Sequence, residues 1–125
     1  MNILIISICL ALSYQDIKYR LIYSPLNCLL LLFGLFISNN TIYRIFGITL
    51  IPIILLLINK YIKEIIGDGD IEFISASGLI LGFYKQNIML LMSTILALIY
   101  ILITKKRIVP MIPFLSIGLI ICLLF

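Results

Sequence analysis

Five carboxylates interrupt a 125-residue chain that is 64% hydrophobic: Asp16, Glu64, Asp68, Asp70 and Glu72. Two of them stand where chemistry could be done. Asp70 closes the run Gly67-Asp68-Gly69-Asp70 at the mouth of an apolar segment, and Asp16 closes a different apolar segment. A carboxylate at membrane depth is costly and therefore marks a functional site. If folding brings the two together, like charges at close range cannot both ionise, and the pair holds one proton near neutral pH. The ionised member can then deprotonate a water while the protonated one donates to a carbonyl oxygen, as in aspartic proteases. This chemistry calls for no metal and no cofactor. The chain has no histidine, and Cys9, Cys28 and Cys122 lie inside apolar runs without a C-x-x-C, so they read as small buried packing residues rather than zinc ligands.

Simpler roles compete. Asp70 could cap the N-terminus of a helix, a common use of aspartate. Asp16 could sit solvated at a helix end, paired with Lys18 or Arg20. Asp68, Asp70 and Glu72 alternate as at the start of a calcium loop but lack its twelve-residue spacing, and Asp68 and Glu72 read as solvated interfacial acids. Gly67 and Gly69 permit unusual backbone angles and the close approach of another chain beside Asp70.

The elements that must position these residues are apolar. The mean hydropathy is +1.32 and only 11% of residues are charged. No soluble core of this size could hide so much apolar surface. The expectation is one polytopic unit over 1–125 set in a lipid bilayer, with no separate soluble domain. The net charge of +4 is dispersed between apolar runs and gives no basis for nucleic-acid binding. The runs cover 2–17, 23–38, 42–60, 71–85, 87–104 and 108–125. A crossing takes about 20 residues, so the spacing predicts an all-α protein of about six short transmembrane helices, with five spans and one re-entrant segment as the variant. Leu29 to Phe33 and Ile53 to Ile58 do not alternate as barrel strands would. The first run carries no basic n-region and no small-residue cleavage site, so it reads as a helix that stays, not a signal peptide.

With the N-terminus outside, the cytoplasmic turns hold Lys18, Arg20, Lys60, Lys63, Lys105, Lys106 and Arg107, against Arg44 and Lys85 outside. The same arrangement gathers all five acids on the cytoplasmic side. Gly78 and Gly82 form a G-x-x-x-G, which allows a close helix crossing and is expected to bring the start of helix four against helix one, or else to form a dimer contact. Pro25, Pro110 and Pro113 suit helix starts, and Pro52 should kink helix three. Lys105-Lys106-Arg107 reads as a topology anchor.

Three segments together resemble the type IV prepilin peptidase family, the A24-type membrane aspartic peptidases. They are Asp16-Ile17-Lys18-Tyr19-Arg20-Leu21-Ile22, Gly67-Asp68-Gly69-Asp70 with Ala76, Gly78 and Gly82 following, and Ile108-Val109-Pro110-Met111-Ile112-Pro113-Phe114 through Gly118. The resemblance implies catalytic aspartates at Asp16 and Asp70 facing the cytoplasm, backbone support from Gly67, Gly69, Gly78 and Gly82, and removal of a short basic leader from a pilin-like membrane precursor. Asp68, Glu72, Lys18 and Arg20 are expected to modulate the site. The chain departs from the family pattern at Ile22-Tyr23-Ser24-Pro25, where Ile-Pro-Asn is usual, and at Glu72, where a lysine is common. Its short first cytoplasmic loop, without a C-x-x-C, implies a peptidase-only form lacking N-methylation. The alternative is a non-catalytic membrane assembly or transport subunit. Oligomeric state is not legible.

Overall fold

The structure is a computed structural model that describes residues 1–19, 24–37, 41–62 and 67–125. Six α-helices follow one another: α1 (Asn2–Tyr19), α2 (Ser24–Phe36), α3 (Thr41–Ile62), α4 (Asp68–Leu81), α5 (Phe83–Thr104) and α6 (Ile112–Leu124). Arg20, Lys63 and Glu64, which the sequence reading placed in cytoplasmic turns, lie outside the described residues. An all-helical chain is what an apolar surround demands, because a helix satisfies its own backbone. Pro25 stands at the second position of α2 and Pro113 at the second of α6, where a missing N–H costs little. Pro110 precedes α6 by two residues instead of opening it.

Helix boundaries depart from the apolar runs by up to four residues, as at the start of α6 (Ile112, against 108) and of α5 (Phe83, against 87). The fourth run, expected over 71–85, ends as a helix at Leu81. Gly82 adopts φ 80° and is both the last cap of α4 and the first of α5. Only glycine takes that backbone cheaply, so Gly82 breaks the chain into two helices and does not pack within one.

The core is centred on α4, whose buried face carries Phe73, Ile74, Ala76, Ser77, Gly78 and Ile80. α3 and α2 pack on it, α5 and α6 pack on each other, and α1 packs chiefly on α6. The closest crossing joins α4 to α3. A β-carbon at Gly78 would stand 2.6 Å from the Gly47 carbonyl oxygen. Gln86, fully buried at the start of α5, donates its amide to the Ile74 carbonyl at 2.8 Å beside this crossing. The Gly78 packing therefore serves α3, not α1. No α-carbon of α1 comes within 8 Å of an α-carbon of α4, which corrects the expectation that the glycines of helix four draw it against helix one.

Helix lengths differ, with α1 at 18 residues between two extremes. α3 and α5 have 22 residues each and are long and apolar enough to cross a membrane. α2, α4 and α6 have 13 or 14. From the Gly47–Gly78 crossing, α3 continues for about 22 Å to Ile62, whereas α4 reaches Asp70 within about 12 Å. The start of α4 is thus recessed along the bundle.

Candidate active site

Asp16 occupies the last turn of α1 and is buried, 8% exposed. It shares a face with the buried Ile5, Cys9 and Leu12 of α1, a helix that packs chiefly on α6. Its Oδ2 accepts the Ile112 N–H at 3.2 Å. Ile112 is the first residue of α6, and Met111 before it supplies no side-chain cap. The carboxylate of one helix thus caps another, satisfying an N–H that has no partner within its own helix. One turn away the Ser13 and Ser116 hydroxyls meet at 2.6 Å. Each also lies near a carbonyl of its own helix, Cys9 at 2.7 Å and Pro113 at 2.8 Å. With one hydrogen per hydroxyl, one of the two donates across the interface. Together these bonds hold α1 and α6 in register at the site.

Lys18 does not pair with Asp16. Its ammonium lies over the rings of Tyr14 and Tyr19, 5.5 and 5.1 Å from their centroids, on the exposed face of α1. The ion-pair reading of Asp16 with Lys18 is thereby replaced by a buried hydrogen bond to α6; its other named partner, Arg20, lies outside the described residues.

Asp70 lies in the first turn of α4, ahead of that helix's apolar face. It is not the cap: Gly67 holds that position in extended backbone, φ −65° and ψ 145°, without a side-chain bond. Gly69 lies inside the first turn, and the one described glycine with positive φ is Gly82. The motif glycines therefore do not supply unusual angles here. What Gly67 supplies is space, since it lines the cavity with no side chain and a β-carbon there would stand 3.7 Å from Asp70 Oδ2.

A cavity of about 340 Å³ brings the two acids together. Its lining is Asp16 and Ile17 of α1, Gly67 and Asp70 at the start of α4, Tyr100 of α5, and Lys106 and Ile108 to Met111 ahead of α6. Two carboxylates in one cavity, one of them accepting a backbone N–H, stand in the unequal surroundings that general acid–base hydrolysis uses.

Of the other acids, Asp68 is exposed in the first turn of α4 and does not line the cavity. Glu72 is exposed and accepts from Asn27 Nδ2 at 3.3 Å. Asn27 was not singled out in the sequence. It is 1% exposed in α2, and the same Nδ2 reaches the Gly69 carbonyl at 3.4 Å, tying α2 to the motif. Tyr100 was missed, and Lys106 had been read only as an anchor. An asparagine inside an apolar helix was a signal for the first. Nothing local marked Tyr100, whose ring packs 5.4 Å from that of Phe114. Cys9 and Cys122 are buried as expected, but Cys28 is exposed.

A sequence model described as the type IV leader peptidase family matches residues 3–102. No curated protein and no solved structure matches the chain.

Proposed function

Since the chain belongs to the type IV leader peptidase family, we propose that it is a multi-pass aspartic endopeptidase of the cytoplasmic membrane that removes the short basic leader from pilin-like or pseudopilin precursors. The observation that carries this reading is the single cavity lined by both Asp16 and Asp70. In this reading Asp70 keeps the shared proton. Asp16 takes a proton from a water, whose oxygen attacks the scissile carbonyl carbon while Asp70 donates to the carbonyl oxygen. Collapse of the gem-diol intermediate breaks the C–N bond: one diol hydroxyl returns its proton to Asp70 as the C=O bond re-forms, and Asp16 gives its proton to the leaving amine. The site faces the cytoplasm, where loop charges favour it. Asp68, Glu72, Lys18 and Arg20 act outside this exchange, as modulators. The segment joining α1 to α2, residues 20–23, carries no C-x-x-C, and in this reading the enzyme cleaves without methylating.

Asp16 also caps α6, so the test must separate capping from catalysis. Asparagine keeps an acceptor oxygen but cannot take a proton. Asp16→Asn and Asp70→Asn should each reduce cleavage of a leader-bearing pilin by at least about 10³-fold while the protein still inserts and elutes as wild type. Asp68→Asn should retain activity. Loss of cleavage in Asp68→Asn with retention in Asp70→Asn would overturn the assignment.

A further inference from the structure

Two cavities meet at Asp70. Beyond the one already described, a second of about 450 Å³ lies between α3, α4, α5 and α6. Its walls are Ile51 and Leu55, Ile74, Leu90 and Thr94, and Leu115; Asp70 and Met111 line both cavities. Apart from Asp70, the wall has one polar side chain, Thr94, whose hydroxyl donates to the Leu91 carbonyl at 2.9 Å. Away from its Asp70 end the wall is otherwise aliphatic, so the space favours an apolar occupant. Its size is ample for one large side chain, since an apolar cavity of about 150 Å³ holds a benzene ring.

A chain bound across Asp70 is therefore offered a polar chamber on one side and an apolar one on the other. Met111, flexible and unbranched, stands at the boundary. This inference rests on the peptidase reading, in which a basic leader precedes the cut and an apolar helix follows it. The leader end belongs with the more polar cavity that holds both carboxyls, and the apolar end with the aliphatic space among α3, α4, α5 and α6. We propose that the second cavity receives the first apolar side chain on the carboxyl side of the cut, and that Leu55, Leu90 and Thr94 set the size accepted there. These are specificity residues and take no part in proton transfer.

The test uses synthetic precursors with a lysine-rich leader, glycine before the cut, and alanine, methionine or phenylalanine after it, followed by an apolar helix. Leu90→Phe fills the cavity and should lower kcat/KM for the phenylalanine precursor at least about tenfold relative to the alanine one. Leu90→Ala should move that ratio the other way. Equal changes across the panel, as displacement of a lipid acyl chain or a general loosening would give, overturn the proposal. A second readout needs no turnover. A diazirine-bearing leucine at the first position after the cut should cross-link to Leu55 or Leu90 when bound to the Asp16→Asn protein. Cross-links confined to Tyr100 and Lys106 would overturn the assignment. Cross-links at Leu90 with no precursor cut by the wild type would sink the peptidase reading and leave the cavity assignment standing. Cleavage with an unselective panel and cross-links elsewhere would do the reverse.

Discussion

Asp16 and Asp70 line one cavity, and acid–base hydrolysis needs one proton between them. The proposed chemistry therefore gives kcat/KM a falling limb at low pH, where both carboxyls are protonated, and another at high pH, where neither is. A profile with no upper limb would contradict the role of Asp70 as donor. Asn27, buried and spanning to Gly69 and Glu72, has a positioning role. Asn27→Leu should cost about 1–3 kcal/mol of stability. It should also reduce kcat more than it raises KM, because it loosens the first turn of α4 and not the substrate's own contacts.

Two glycines set the spacing of helices and, through it, the cavity. At Gly78 a β-carbon would strike the backbone of α3, 2.6 Å from the Gly47 oxygen and 2.7 Å from its carbonyl carbon. Backbone cannot swing aside as a side chain would, so Gly78→Ala should destabilise by about 1–3 kcal/mol, visible as a lowered Tm. At Gly118 the β-carbon would lie 2.5 Å from Ser93 Oγ and 2.9 Å from the Met89 carbonyl oxygen. Gly118→Ala should push α6 from α5 and shift the Lys106 to Met111 wall, lowering activity beyond its effect on Tm. Across α1 and α6, a double-mutant cycle on Ser13→Ala and Ser116→Ala should give a coupling of about 0.5–1.5 kcal/mol. A value near zero would mean that the hydroxyls serve only their own helices.

At the scale of the molecule, the acid-lined cavity at the start of α4 and the Arg44–Lys85 region at its end lie at opposite ends of that helix. The proposed orientation puts the first in the cytoplasm. In a cysteine-free background, Lys106→Cys should react with a membrane-impermeant maleimide only after the inner face is opened, and Tyr84→Cys in intact cells. The reverse pattern would place the acids outside and remove the site from a cytoplasmic leader. α3 and α5 are the long helices and α2, α4 and α6 the short ones, so the start of α4 is recessed; under the proposed function a bilayer-embedded precursor would meet the acids there without leaving its own helix.

Hydropathy and the breaks between apolar runs were enough to count six helices, because lipid leaves a chain few other ways to satisfy its backbone. The types and order of Asp16 and Gly67 to Asp70 were enough to nominate two carboxylates, since buried charge is too costly to be incidental. The sequence could not say how they meet. Helix one and helix four do not pack together; α6 mediates, with its first N–H on Asp16 and its preceding segment walling the cavity. Nor could it say that Gly82 ends a helix, that Gly78 faces Gly47, or that Asn27, Tyr100 and Lys106 gather at the motif. Those facts depend on which faces turn toward each other across tens of residues, and nearly uniform apolar helices carry almost no periodic signal of facing.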